Sequence, residues 1–424
     1  VGQRPGAVRR LSAGTWRVAR RARGGDWAHD ARRPGRPARS ARAPRRGAPR
    51  PDPLPRPGYD AGNAFFAEDL DELRDAGHLR LLVPRELGGS GASLADAVRA
   101  QHLLAQAAPA TALGVGMHLV WTAVARILAD RGDDSLRGVL EDAGRDELLA
   151  FAISEPGNDQ ALADALTRAD PDPDGGYRFT GTKSTSSMAP AWTRLGLFGR
   201  DDTDPERPLL VHAFVPRDAP GLEIVPDWDT LGMRATQSHT VILRDVRAEP
   251  ADVVRRREHG RRDDPFVLAV LQAFELLIAA VYAGIGQRAL DIAVESALRR
   301  TSRAAGGAAL AADPGIRHIV AEAALAQDAL LPQLTALADD VDRGVDRGDR
   351  WASLLVGAKV RATRTAAEVV QRAIAVAGGG SFRAGDELGR LYRDVLAGGF
   401  HPSSDRQAAE TIATTLLGPV PRAS

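Results

Sequence analysis

Ser154-Glu155-Pro156-Gly157 is followed, twenty residues after Gly157, by Tyr177-Arg178-Phe179-Thr180-Gly181-Thr182-Lys183, and these two segments organise the chain. Proline fixes φ and donates no hydrogen bond, while glycine reaches conformations closed to other residues, so Glu-Pro-Gly breaks the backbone path at a defined point. A hydroxyl just before that break suits a fixed hydrogen-bonding partner for a flat ligand. A plain surface turn accounts for the same four residues. The second segment has the texture of a strand.

Outward from this centre the pattern changes on both sides. Towards the N-terminus, Phe65, Phe66, Leu70, Leu73 and Leu79 recur at helical spacing. Val83–Gly91 is a glycine-rich connection, and Ser93 is placed to cap an alanine-rich helix starting near Leu94. Further helical pattern covers 114–129 and 134–149. Between about 150 and 255, Tyr177–Thr180, Leu195–Phe198, Leu209–Val215, Leu222–Val225 and Thr240–Leu243 read as strands separated by Asp, Pro and Gly clusters. Helix returns from Pro265, roughly over 265–302, 313–344, 350–377, 386–396 and 404–417. The expected fold class is α+β: an N-terminal helical domain, a small central β-barrel-like domain and a C-terminal four-helix bundle. The expected boundaries are an Arg/Pro-rich disordered arm at 1–58, then 59–149, 150–258 and 259–424.

Composition excludes several function classes. The 424 residues include no cysteine, which removes disulfides, thiolate metal sites and cysteine nucleophiles and is compatible with a reducing cytoplasm. No run of about eighteen apolar residues occurs, so no membrane span is expected. The nine histidines show no HExxH or comparable spacing, and no metal is expected; His102 and His118 on alanine-rich helices read as structural. No GxGxxG motif supports a Rossmann-type NAD site. The net charge of +1 hides an asymmetry: residues 1–58 hold 16 arginines and three acids, and the remainder is net negative. Three readings fit the arm: an anionic-surface or nucleic-acid contact, a disordered tail, or an upstream start in a GC-rich gene. The last two are preferred, and no nucleic-acid partner is expected. The chain has two lysines, Lys183 and Lys359.

In order and spacing, the motifs resemble the acyl-CoA dehydrogenase superfamily over about residues 59–418. Leu82–Gly91 resembles its first-domain signature, and Ile153–Gly157 with Gly181-Thr182-Lys183 resembles its flavin-contacting β-domain motif. Leu231-Gly232-Met233-Arg234-Ala235-Thr236-Gln237-Ser238, then Asp245-Val246 and Pro250, resembles the segment that closes that domain. Gly284–Asp291 resembles the start of the bundle, and Gly378-Gly379-Gly380 precedes Arg393-Asp394 by the family interval.

The resemblance implies FAD and a homodimer or homotetramer. Isoalloxazine is planar and polar-edged, so it needs a flat slot with a few fixed partners. Ile153 main chain and the Ser154 and Ser187 hydroxyls match positions that meet that edge; local turn chemistry is the alternative use of the serines. Gly378 and Gly379 match close backbone approach to the diphosphate or adenosine part of a neighbouring subunit's cofactor, or simply end a helix. Ser403 completes the expected cofactor set.

The family's catalytic glutamate is missing from both of its usual places. Nine residues beyond Arg393 stands Pro402, and ten residues before Gly284 stands Phe274. Glu275 is one position away in an apolar run, where burial would raise its pKa as a base requires, although adjacent helix positions point about 100° apart. His401 is the second candidate, as a group able to titrate near neutrality. A buried Glu–Arg pair and a loop histidine are the plainer readings of the two. The tryptophan two residues after the motif lysine becomes Thr185, Asn158-Asp159-Gln160 replaces Gly-Ser-Asp, and Arg299-Arg300-Thr301 stands in place of Arg-x-x-Phe-Gly.

The leading expectation is α,β-dehydrogenation of an acyl-CoA or carrier-bound acyl thioester, with hydride passing to flavin N5 and electrons to an electron-transfer flavoprotein or another acceptor. That expectation carries lipid metabolism and a cytoplasmic location with it. The alternative is a flavin-dependent monooxygenase on the same fold, using reduced flavin and oxygen, which needs no substrate-abstracting glutamate. A non-catalytic flavin or acyl-thioester binding protein is the third reading.

Overall fold

The computed structural model describes residues 58–160, 162–261 and 263–419, so the arm expected at 1–58 lies, but for Gly58, outside the described residues. The N-terminal helices are α1 (Tyr59–Gly62), α2 (Ala67–Asp75), α3 (Leu94–Ala107), α4 (Pro109–Ala129) and α5 (Arg137–Gly144). Ser93 caps α3 as expected. Its Oγ accepts from Asp96 N at 3.1 Å while the Asp96 carboxylate accepts from Ser93 N, a reciprocal capping box. Pro109 opens α4 at a first-turn position where a missing N–H leaves nothing unpaired.

The middle region is a mixed sheet of eight strands: β1 (Leu149–Ala152), β2 (Arg168–Pro171), β3 (Tyr177–Ser186), β4 (Arg194–Asp201), β5 (Leu209–Pro216), β6 (Leu222–Val225), β7 (His239–Ala248) and β8 (Val253–Glu258). Its order is β6-β7-β3-β2-β4-β5-β8, with β1 parallel to β4. The sheet does not close into a barrel, because β6 and β8 stay unjoined at its ends. All five expected strands are present. β1, β2 and β8 escape a periodicity reading for a physical reason, seen best in β8. Its inward positions are arginines, with Arg255 paired to Asp133 and Asp264 and Arg257 donating to His212 Nε2 at 3.2 Å.

The C-terminal region contains α6 (Pro265–Arg299), a small hairpin of β9 (Thr301–Ser302) and β10 (Ala308–Ala309), then α7 (Pro314–Gln327), α8 (Leu330–Asp342), α9 (Arg350–Ala377), α10 (Glu387–Leu396) and α11 (Asp405–Leu417). The expected helix at 313–344 is divided into α7 and α8. Pro332 explains the break, since it lacks an N–H and its ring conflicts with the carbonyl four residues earlier, at Asp328. α6 is apolar nearly all round because it packs against α9 on one side and against α3 and α4 on the other. Gly284 makes one of these crossings possible, since a Cβ there would sit 2.5 Å from His102 O of α3. α4 and α6 are long and apolar enough to cross a bilayer by length and composition alone. Their most apolar windows are 89% and 78% buried inside the protein, which accounts for that apolarity as core.

Candidate functional site

The turn that begins with Ser154 is held from beneath by Glu155. The Glu155 carboxylate accepts from Lys183 Nζ at 2.7 Å, Leu166 N at 2.7 Å, Thr167 N at 2.9 Å and Asn158 Nδ2 at 2.8 Å. Lys183 also donates to Phe198 O at 2.6 Å and stands over the Phe198 ring. Burial pushes the Glu155 pKa up, but Lys183 and the other donors outweigh it and bring it down to about 2. The family motif lysine is therefore a clamp on the loop that carries Ser154.

A second clamp fixes the opposite wall. Gly232 lies so close to α10 that a Cβ would sit 2.1 Å from Arg393 O. Asp394 accepts from Met233 N at 2.7 Å and Arg393 Nε donates to Leu231 O at 3.1 Å. The Leu-Gly-Met and Arg-Asp motifs, 160 residues apart, are thus two halves of one contact.

Between these walls lies a cavity of about 1390 Å³. Leu113 and Met117 of α4, Phe151 of β1 and Phe274 of α6 line its apolar part, with the two phenyl rings stacked at 5.6 Å between centroids. A line of hydroxyls forms a polar edge. Ser187 Oγ lies 2.8 Å from Ser238 Oγ, which lies 2.7 Å from Thr236 Oγ1, and Thr236 donates to Met233 O at 2.9 Å. Because Thr236 uses its proton on a carbonyl, Ser238 must donate to Thr236 and Ser187 to Ser238. Ser187 is left with its lone pairs for a donor on a bound molecule. Thr185 stands on the same wall with φ +55°. At the mouth, α11 is tied to the loop after Gly157 by Gln407 Nε2 donating to Asp159 O at 3.0 Å.

The far end is built from α6, α9 and the loop before α11. Lys359, fully buried on α9, donates from Nζ to the carbonyls of Gly398, His401 and Ser403, each at 3.0 Å, and so fixes that loop. Glu275, 1% exposed, accepts through Oε1 from Ser403 N at 3.2 Å and Ser403 Oγ at 3.1 Å. Its Oε2 is buried without a partner. Burial raises the Glu275 pKa to about 7, opposed by the Lys359 charge and the Ser403 donors. His401 Nε2 lies 2.8 Å from the Tyr282 hydroxyl. The expectation that His401 titrates near neutrality is corrected here: burial and the neighbouring Lys359 ammonium push its pKa down to about 3, so it stays neutral.

Ile153, Ser154, Ser187, Glu275, His401 and Ser403 thus line one cavity, together with Pro402 and Phe274. Gly378 and Gly379 do not. They follow α9, where Arg300 donates to Val376 O at 2.9 Å and to Ala377 O, covering the carbonyls at the helix end. Sequence reading passed over Lys359, Thr236 and Ser238. Lys359 left one signal, its place in the apolar run 354–360, and that run says nothing of what its ammonium holds.

The profile for the acyl-CoA dehydrogenase middle domain matches residues 150–246, and that for the C-terminal domain matches residues 276–406. The chain belongs to the acyl-CoA dehydrogenase family, a family of flavin-dependent oxidoreductases. It is 32% identical to L-evernosamine nitrososynthase of a Micromonospora species over 366 residues, covering 85% of each chain. It is 28% identical to dibenzothiophene monooxygenase of Rhodococcus erythropolis, covering 85% of this chain and 89% of the relative. The solved structure of KijD3 with FMN and dTDP-3-amino-2,3,6-trideoxy-4-keto-3-methyl-D-glucose superposes with a TM-score of 0.75 at 27% identity, over 99% of this chain and 95% of that one. These relatives side with the oxygenase alternative. They back it better than the expected acyl-CoA dehydrogenation, and they give no support to an acyl-thioester substrate or a role in lipid metabolism.

Proposed function

We propose that this chain is a flavin-dependent monooxygenase that oxygenates the amino nitrogen of a small substrate, of the class of nucleotide-linked amino sugars. The similarity to an amino-sugar nitrososynthase along 85% of both chains carries this reading. Two features of the site support it. The positions where a dehydrogenase keeps its glutamate hold Pro402 and Phe274, and Phe274 fills its place with a ring stacked on Phe151. The cavity also exceeds the roughly 300–1,000 Å³ of an ordinary ligand site, which suits a flavin and a second molecule together.

The residues present fit a flavin ring. Ile153 and Ser154 offer main chain and a hydroxyl at one edge, Ser187 offers an acceptor, and Thr185 leaves open the space of the absent tryptophan. Bound and reduced, flavin supplies the two electrons and two protons with which dioxygen places one atom on nitrogen and leaves the other as water. An amine thereby becomes a hydroxylamine, and a second equivalent of reduced flavin and dioxygen converts that to a nitroso group and two waters. The chain's own contribution is to hold and desolvate the reactants. The aromatic and aliphatic wall keeps bulk water from the reacting nitrogen, and the two clamps fix the Ser154 and Met233 edges relative to each other.

The test uses the full chain with FMN or FAD, a separate NADH-dependent flavin reductase, isotopically labelled dioxygen and a dTDP-linked amino deoxysugar. Mass spectrometry is expected to find labelled oxygen in the hydroxylamino or nitroso sugar. Anaerobic bleaching of bound flavin by an acyl-CoA panel, with no labelled sugar product, would overturn the reading.

A further inference from the structure

We propose that the segment from Phe400 to Arg406 is the nucleotide-binding rim of the cavity, where Phe400 stacks on the base and Arg406 holds the diphosphate. The inference rests on the reading of a nucleotide-linked amino sugar as substrate. Such a molecule brings three chemistries to the site. Its sugar nitrogen must meet the oxidant, its diphosphate carries negative charge, and its base presents a flat π-face. The last two call for a cation with free donors and an accessible aromatic ring.

The arginines that line the cavity are Arg393 and Arg406. Arg393 is spent on the protein. Its Nε and Nη1 donate to Leu231 O and Gly389 O, both at 3.1 Å, and its Nη2 pairs with Asp60. Arg406 is exposed and makes no hydrogen bond or ion pair with any described residue, Glu410 one turn further along α11 included. His401 stays neutral and Lys359 does not line the cavity, so the available positive charge is that of Arg406. Among the aromatic rings of the lining, Phe151 and Phe274 stack on each other and Trp228 is half-buried, whereas Phe400 is 86% exposed.

Both side chains stand on fixed backbone. Phe400 N donates to Ala397 O at 3.0 Å, and Lys359 holds the carbonyls of Gly398 and His401 on either side of it. The bond from Gln407 to Asp159 O secures the first turn of α11, which carries Arg406. A backbone ordered in advance lowers the cost of binding, and this gives the three donors of buried Lys359 a purpose. The mouth also bears two exposed carboxylates, Asp159 and Glu410. It is therefore no general positive field, and an anion gains there only by direct contact with Arg406.

The phosphate of FMN shares the chemistry of the diphosphate, so the test separates the two. Affinities of the full chain for dTDP and thymidine are read by ligand-observed NMR, and for FMN by fluorescence titration. Arg406→Gln is expected to weaken dTDP by about ten- to thirtyfold and to leave thymidine and FMN within about twofold. Phe400→Ala is expected to weaken dTDP and thymidine alike, by about tenfold. Loss of FMN affinity with dTDP unchanged in Arg406→Gln would give Arg406 to the flavin and overturn the proposal, as would thymidine unmoved by Phe400→Ala. Urea midpoints check that the variants fold, and the wild type gives a measurement that needs no variant. It should bind dTDP about tenfold more tightly than thymidine, and equal affinities would overturn the diphosphate contact. A wild type that binds no dTDP sinks the proposal together with the nucleotide-linked substrate. One that binds dTDP with these variant effects, yet oxygenates no amino sugar, sinks the oxygenase reading and leaves the rim standing.

Discussion

Both lysines of this chain are fully buried, and each stands near a buried glutamate, yet the two arrangements differ in one respect. Lys183 donates directly to Glu155, and three further donors complete that carboxylate. Lys359 turns its donors to main-chain carbonyls and leaves Glu275 with one oxygen unpartnered. The pKa values follow, about 2 for Glu155 and about 7 for Glu275, although burial raises both. The completed pair is architecture: it fixes the loop bearing Ser154. The incomplete pair is kept in place by a loop, with Glu275 Oε2 buried and unpartnered.

The largest effect should come from opening the completed pair. Lys183→Met leaves the Glu155 charge buried without its counter-ion and is expected to destabilise the fold by about 3–5 kcal/mol, read by urea denaturation near neutral pH. A loss under about 1 kcal/mol would mean that the backbone donors hold Glu155 unaided.

A smaller effect separates the two glutamates by the sign of their pH dependence. The Glu155 pKa is depressed on folding, so its contribution is present above the usual glutamate value and is lost as pH falls towards about 2. The Glu275 pKa is raised on folding. Between the usual glutamate value and about 7 the native state holds a proton that the unfolded chain has released, so stability declines as pH rises through that window. Removing the carboxylate as Glu275→Gln should therefore improve stability at pH 8, relative to pH 5, by about 2 kcal/mol compared with wild type. Parallel pH profiles for the two proteins would show that the carboxylate is not raised.

The same contrast explains what could be read from sequence. The Glu-Pro-Gly, Gly-Thr-Lys, Leu-Gly-Met and Arg-Asp motifs were legible because backbone contact restricts residue type: Gly232 must lack a Cβ, and Asp394 must accept from Met233 N. Glu275 was legible as an acid in an apolar run. Its setting was not, since Lys359 and the carbonyls it holds come from segments 84 or more residues away, and lysine on an amphipathic helix ordinarily faces solvent. β8 was hidden because its arginines point inward to acids contributed by other segments. The reaction was hidden more deeply. Pro402 and Phe274 declared what was absent, and the substrate's chemistry depends on a cavity assembled from α4, β1, α6 and the loops around them.

The smallest predicted effect tests how far the completed pair reaches along β3. Thr185 is two residues beyond Lys183, within the register shift between Lys183 and Ser186 where β3 pairs with β7. Its φ of +55° is unfavourable for a β-branched residue by about 1–2 kcal/mol, so the surrounding contacts must impose it. Glycine adopts that conformation freely but loses more backbone entropy on folding, which offsets part of the gain. Thr185→Gly is therefore expected to stabilise the fold by about 0.5–1 kcal/mol, measured as a shift in the urea midpoint. If the Lys183–Glu155 contact is what imposes the conformation, the gain should shrink when Thr185→Gly is made together with Lys183→Met. Additive effects of the two substitutions would assign the strain at Thr185 to the β3–β7 pairing alone.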